Sequence, residues 1–364
     1  MITANAVTPQ PAPTGNGCTT ARAAMAVLML AVAALAGCSP QPPYRERLYA
    51  FGTVVEVTLY GLDEARARAA TEALHEKLRT WHRQWHPWQG DGLARINRAL
   101  AAGRTTEVPP ALSELIRRAR RLEQASGERF SPGIGALVRL WGFDRGTALP
   151  KRPPPDTAID AVLADSPRLA DLELGDGTLR SDGTAVQIDL GAFAKGVAVN
   201  RALTLLREHG ARAALVSMGG DIGAFGRPAE RPWRIGIRAP RGEGLLAAAT
   251  LEAGEVIFTS GDYERYFEHD GIRYHHLLDP ASGRPARDTR SVTVIADDAA
   301  LADAAATALF VAGPGEWQTV ARDLGVRRVL LVDDNGGVHT TRAMLERIGF
   351  EQTPPPPLVE EATW

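Results

Sequence analysis

Residues 186–196 read VQIDLGAFAKG, and three elements are legible in them. Val186 to Leu190 has the composition of a short strand, Gly191 opens a turn, and from Lys195 to His209 apolar residues recur at helical spacing. A second strand, Ala213 to Met218, follows and runs into Gly219-Gly220-Asp221. Further strands are expected at Phe51 to Tyr60, Trp233 to Ile237, Ala247 to Leu251, Glu255 to Thr259, Ser291 to Ala296 and Arg328 to Val332. Helices are expected from Glu64, capped by Asp63, to about Trp85, from Ala111 to Ser126, and from Ala300 to Val311. Lys151 to Pro155 (KRPPP) is a loop, because consecutive prolines remove amide donors and fix φ. No period repeats along the chain. The expected class is therefore α+β, a mixed and largely antiparallel sheet with packed helices, rather than regular βαβ alternation.

A chain of 364 residues, 45% of them hydrophobic, can bury a substantial core. Its 41 Lys and Arg against 43 Asp and Glu leave a formal charge of −2, so no global bias toward nucleic acid exists and any phosphate site has to be local. Cys18 and Cys38 both precede the expected body, which therefore has no disulfide framework. Ala23 to Gly37 is an apolar run of signal-peptide length, too short to span a bilayer comfortably. It ends in Leu35-Ala36-Gly37-Cys38, which resembles the lipobox of bacterial lipoproteins with Cys38 as the lipidated residue. The expected organisation is a signal peptide over residues 1–37, a lipidated tether over 38–47, a globular body over 48–350 and a Pro-rich tail over 351–364. On that reading the protein is exported and anchored by lipid to a membrane, facing the periplasm.

Four clusters carry candidate chemistry. In Asp189 to Gly196 the turn aims backbone amides toward an anion, Lys195 adds a compact positive charge and Asp189 an acceptor; a simple cap at Asp189 with a solvated Lys195 is the alternative. Ser217 to Asp221 (SMGGD) allows either close approach of backbone to a ligand or a tight turn. Tyr274 to Gly283 (YHHLLDPASG) sets an imidazole beside a polar turn, where it can act as a general base. Adjacent strand residues face opposite ways, so only one of His275 and His276 reaches the site, and His276 is the expected one. Asp303 and Thr307, four apart on the Ala-rich helix, share one face, and oxygen-only ligands suit Mg2+. His82 and His86 are also four apart, but no Glu follows His82 and no third zinc ligand is evident. Trp81, Trp85 and Trp88 form a stripe most simply used for packing, with Trp88 past the helix end and able to stack on a ring.

Taken in order, these segments resemble the ApbE family of FAD:protein FMN transferases, from about Leu48 to about Gly349. Phe51-Gly52-Thr53 looks like the family's (M)GT strand, and Phe130 to Phe143 like its FDPTVGPLVxLWGF segment. Asp189 to Gly196 resembles DLGGxAKG, Ser217 to Asp221 NLGGD, and Thr259 to Phe267 TSGDYxRYF. His276 to Pro285 resembles HIIDPxTGxP, and Ala302 to Leu309 the ADAxATAL helix. The resemblance implies that Asp189 and Lys195 contact FAD, that Phe51 and Trp88 flank it, that the Ser131 region borders the flavin pocket and that Leu278 contributes backbone. It also implies Mg2+ held by the Ala192 carbonyl with Asp303, Thr307 and Ala306. Phe51 replaces the usual Met, Ser131 and Gly133 replace Asp and Thr, and Ala192 stands where Gly is frequent; the Ser131 change removes a carboxylate near the expected pocket.

The activity implied is a phosphoryl-type transfer. A Thr or Ser hydroxyl of an acceptor protein attacks the FMN-side phosphorus of FAD and AMP leaves, with Mg2+ and Lys195 on the diphosphate and His276 as the base. The implied acceptor is an exported subunit of a respiratory flavoprotein complex. Two other readings use the same pocket: an FAD pyrophosphatase in which water attacks, and a lipoprotein that binds FAD without turnover.

Overall fold

The computed structural model describes residues 42–144, 148–165, 167–181, 186–228 and 231–364. The expected signal peptide and Cys38 lie outside the described residues. The described chain begins with β1 (Tyr44–Ala50), β2 (Thr53–Tyr60), α1 (Glu64–Trp85), α2 (Leu93–Ala101), β3 (Thr106–Glu107) and α3 (Pro110–Ala125). Next come α4 (Gly135–Leu140), α5 (Asp156–Leu163), a 3-10 turn (Leu169–Asp171), β4 (Leu172–Leu174), β5 (Thr178–Ser181) and α6 (Ala194–Glu208). The strands β6 (Ala213–Met218), β7 (Asp221–Phe225), β8 (Trp233–Arg238), β9 (Leu245–Leu251), β10 (Val256–Gly261), β11 (Tyr266–His269), β12 (Ile272–His275) and β13 (Thr289–Ala296) follow. The chain closes with α7 (Ala299–Asp323), β14 (Arg328–Asp333), β15 (Val338–Thr341), α8 (Arg342–Leu345), β16 (Ile348–Phe350) and β17 (Leu358–Ala362).

One sheet of nine strands, in the order β1-β2-β6-β7-β10-β13-β14-β15-β17, organises the body. Its pairs are antiparallel except β15 with β17, so the α+β expectation holds. Side-chain alternation explains how both faces are covered. Val256 and Phe258 of β10 join the cluster under α1, α6 and α7, whereas Ile257 between them joins a second cluster under the small sheet β16-β9-β8. A sheet buried on both faces reads as nearly continuous apolar strands, as β13 and β14 do.

The Ala-rich start of α7 lets backbones approach closely. Ala299, Ala300, Ala302, Ala304 and Ala305 are all fully buried, and α6 packs directly on this stretch. The expected end at Val311 has a physical cause: Gly313 takes φ 63° and breaks the helix, and Pro314 starts its second segment.

Three expectations change. Residues 44–47, expected in the tether, belong to β1, where Tyr44 pairs with Leu59 and Arg47 with Glu56. Residues 351–364, expected as a tail, return to the sheet as β17. There Glu360 accepts a hydrogen bond from the Trp317 indole at 2.8 Å and Trp364 packs on Trp317 at 5.7 Å. Val186 to Leu190 is not a strand. It has a single bridge, Gln187 to Ile134, with backbone bonds to residues 132–135 on one edge, while on the other the buried Asn97 amide accepts from Ile188 N at 2.7 Å and donates to Ile188 O at 2.8 Å.

Candidate functional site

Lys195 and Asp303 lie where the first turns of α6 and α7 meet. Leu190 O accepts the amides of Phe193 and Ala194, which starts α6 at Ala194 and puts Ala192 in the turn just before it. Lys195 then forms an ion pair with Asp221, whose other oxygen accepts Thr259 N at 3.2 Å. Asp221 follows the Gly219-Gly220 hairpin turn, both glycines at positive φ, so the glycine cluster is a turn that delivers a carboxylate to Lys195. Asp221 was not singled out in the sequence; its signal was the position directly after paired glycines.

Asp303 is 5% exposed and accepts Gly196 N at 2.8 Å, tying α7 to the first turn of α6. Burial pushes its carboxyl pKa up, against the pull of the Lys195 ammonium and the Gly196 amide. One turn on, Thr307 Oγ1 lies 3.3 Å from Ser260 Oγ. Ala306 is buried between them on the same helix.

Asp189 accepts Gly191 N at 2.8 Å, which closes the turn ahead of α6 but does not cap the helix, whose N-cap residue Phe193 has no side-chain cap bond. Burial also pushes its carboxyl up, opposed by that amide and by the positive Arg265 nearby. Its backbone N–H donates to Pro132 O at 2.8 Å, binding the 131–133 segment to the turn. Phe51 occupies the two-residue turn of the β1–β2 hairpin at φ 53° beside Gly52 at φ 71°, a left-handed pair that bulky residues seldom adopt. Its ring lies 5.4 Å from His82 and 5.8 Å from Trp85. Trp88 sits three residues past α1, held because His86 Nδ1 accepts both Trp88 N and Gln89 N at 3.1 Å; Arg139 stacks over it at 5.1 Å. His82 and His86 therefore serve packing and loop geometry, and among the described residues no group of three His, Cys, Asp or Glu could hold a metal.

The two histidines have different surroundings. His275 is buried against Phe310, and because Ala286 O can only accept, its Nε2 donates at 2.8 Å. His276 turns the other way, with Nδ1 donating to Arg265 O at 3.3 Å, so Nε2 keeps its lone pair. Burial holds its pKa well below the ordinary histidine value, with Arg265 adding to the effect. Burial pushes His275 down to about 4. Each imidazole is thus neutral in the folded protein, while the unfolded chain takes up a proton near the ordinary value of 6.5. Their stabilising contribution is complete above that pH and is lost as pH falls below it, toward about 4 for His275. Urea midpoints measured from pH 7.5 to 4 will fall, and His275→Gln, which keeps a donor for Ala286 O, will make the fall shallower.

Ser131 and Leu278 stand apart from these polar contacts. Ser131 Oγ donates to Glu123 at 2.6 Å, and the residue lines a cavity of about 220 Å³ with Arg129, Arg168 and Asp279. That volume is small for a dinucleotide. Glu123, fully buried on α3, also accepts Leu169 N and Ala170 N, so it supplies a carboxylate beside the position where Ser131 replaces one. Glu123→Gln leaves one acceptor for three donors and is expected to cost about 1–2 kcal/mol in urea denaturation. Leu278 is buried in an apolar cluster with Trp141, Phe143 and Phe267, and its backbone bridges Pro285.

The ApbE family model matches residues 51–330, which spans every contact just described except those of β1 and the C-terminal strands. The chain belongs to the ApbE family. An FAD:protein FMN transferase of Rhodobacter capsulatus is 42% identical over 310 residues, covering 85% of this chain and 59% of that protein. This chain thus spans less than two thirds of that relative. An enzyme of the same name from Treponema pallidum is 32% identical over 344 residues, with 88% and 94% covered. Among solved structures, the ApbE protein of Thermotoga maritima superimposes with a TM-score of 0.76 at 31% identity, covering 85% of this chain and 99% of that one. The flavinyl transferase ApbE of Pseudomonas stutzeri does so with 0.73 at 29% identity. The ApbE fold accounts for the sheet and for the convergence of the α6 and α7 N-terminal turns.

Proposed function

We propose that this chain is an FAD:protein FMN transferase, Mg2+-dependent, which attaches FMN from FAD to a Thr or Ser hydroxyl of an acceptor flavoprotein and releases AMP. The observation that carries the reading is the linked set Asp221, Lys195, Gly196, Asp303, Thr307 and Ser260 at the junction of α6, α7 and β10, in a chain related to FAD:protein FMN transferases along most of its length.

The donors fit a hard cation. One carboxylate oxygen of Asp303 is committed to Gly196 N, which leaves the other, together with the Thr307 hydroxyl and the carbonyls of Ala192 and Ala306, as an all-oxygen set. With so few protein ligands, substrate phosphate and water would complete the shell, as is usual for Mg2+. When bound, the cation supplies charge neutralisation on the FAD diphosphate. Lys195 and the amides of the turn before α6 orient that diphosphate. His276, neutral with its Nε2 lone pair, accepts the proton of the acceptor hydroxyl, while Phe51 and Trp88 flank the flavin.

Export and lipidation at Cys38 are part of the same proposal, and they fit an acceptor that is an exported respiratory subunit. Cys38→Ser will abolish incorporation of labelled fatty acid and release the protein from membranes; labelling retained in that variant would remove the anchor from the account.

The test of the activity is mass spectrometry of an acceptor domain incubated with the protein, FAD and Mg2+. Covalent FMN on one Thr or Ser is expected, and its loss on chelation. Free FMN and AMP with an unmodified acceptor would instead establish a pyrophosphatase, and unchanged FAD a carrier.

A further inference from the structure

Lys195 is the cation that the sequence offers for the diphosphate, yet its charge is already balanced by Asp221, and Asp303 lies close to it as well. Arginines of neighbouring segments are also engaged. Arg241 makes a two-pronged pair with Asp262, Arg273 pairs with Glu268 and lies over Tyr266, and Arg139 lies over Trp88. Arg265 differs. It stands in the bend between β10 and β11, and among the described residues its guanidinium makes no hydrogen bond or ion pair. Its backbone O holds His276 by two contacts, at 3.1 Å from the amide and 3.3 Å from Nδ1.

Arg265 is exposed to solvent, yet surrounding protein is dense enough to lower its pKa by desolvation, with Asp189 opposing. His276 lies within the field of both Arg265 and Lys195. Both cations act on that imidazole, and among the described residues the one without a bonded counterion is Arg265.

We infer that Arg265 is a substrate-binding residue that holds the phosphate leaving with AMP; the inference rests on the transferase reading above. In the transfer, the acceptor hydroxyl oxygen bonds to the FMN-side phosphorus, and the bond from that phosphorus to the bridging oxygen breaks. The electron pair stays on the bridging oxygen, which departs on the AMP phosphate, and the hydroxyl proton passes to His276. The departing phosphate thereby gains one negative charge. A guanidinium committed to no carboxylate offers a planar two-donor fork to that charge, and its attraction grows as the bond breaks.

The test uses the whole protein and two small molecules, AMP and adenosine, titrated calorimetrically into wild type, Arg265→Met and Arg265→Lys. Wild type should bind AMP more tightly than adenosine. Arg265→Met should lose about tenfold or more of its AMP affinity with adenosine binding and Mg2+ binding unchanged, kcat for FMN transfer should drop more than FAD affinity, and Arg265→Lys should be intermediate because the ammonium keeps charge without the fork. AMP affinity unchanged in both variants, an equal loss for AMP and adenosine, or no AMP binding by wild type overturns the inference. A wild type that binds AMP through Arg265 but never releases AMP from FAD would instead sink the transferase reading.

Discussion

Asp303→Asn is expected to lower FMN transfer by about 10²–10³-fold while the melting temperature moves by no more than a few degrees. The asparagine oxygen still accepts Gly196 N, so the contact between α6 and α7 survives. What disappears is the negative charge, the one carboxylate in the expected metal set. Because burial opposes ionisation of Asp303, removing the charge also relieves a desolvation cost, which is why stability is spared. Steady-state transfer and thermal melting on the same preparation check both halves. Full activity at low Mg2+ would count against the assignment.

Gly196→Ala should fail for the opposite reason, through packing. A Cβ there would sit 2.2 Å from Ala299 O and 2.7 Å from Ala300 Cα, backbone atoms that no rotamer change can move aside. Gly196 is needed for close approach and not for an unusual φ, since it starts an ordinary helical turn. The helices must part, lengthening the bond from Gly196 N to Asp303 and displacing Lys195 from Asp221. A loss of about 3 kcal/mol is expected, or about 6–10 °C in melting temperature, with transfer reduced beyond what instability alone accounts for. A variant with unchanged melting and unchanged transfer would show that the α6–α7 contact does not position the site.

The strands of the central sheet were legible because apolar runs bounded by glycine and polar turns leave few alternatives, as at 213–218 and 291–296. That Asp303 and Thr307 share one face of α7 follows from helical spacing alone. The edges were not. β1 alternates Tyr44, Glu46 and Leu48 with exposed Arg and Tyr, a pattern too polar to distinguish from a tether, and β17 follows four prolines that argue for a loop. β1 is fixed by its hairpin with β2 and β17 by parallel pairing with β15, neither of which local composition carries. The strand expected at 186–190 is reduced to one bridge: its partner segment 132–135 is short, and on its other edge the Asn97 side chain, 91 residues from Ile188 in sequence, takes the place of a strand.

The site divides in the same manner. Lys195, Asp189 and His276 stood out by type and local motif, whereas Asp221 and Glu123 acquire meaning only through partners distant in sequence, and Arg265 through the engagement of the cations around it. Glu123 is the clearest case: a carboxylate in the middle of an amphipathic helix reads as a solvated face, and burial with three donors from other segments gives it a different role.

The central claim is that oxygen atoms of α7 and of the turn preceding α6 grip a divalent cation that activates the diphosphate of FAD. Crystals soaked in Mn2+ and read by anomalous scattering test it most directly. The account predicts a peak bonded to Asp303 and Thr307 and facing the Ala192 carbonyl, absent in Asp303→Asn. A peak elsewhere, or none, in a protein that still transfers FMN in excess chelator would contradict it.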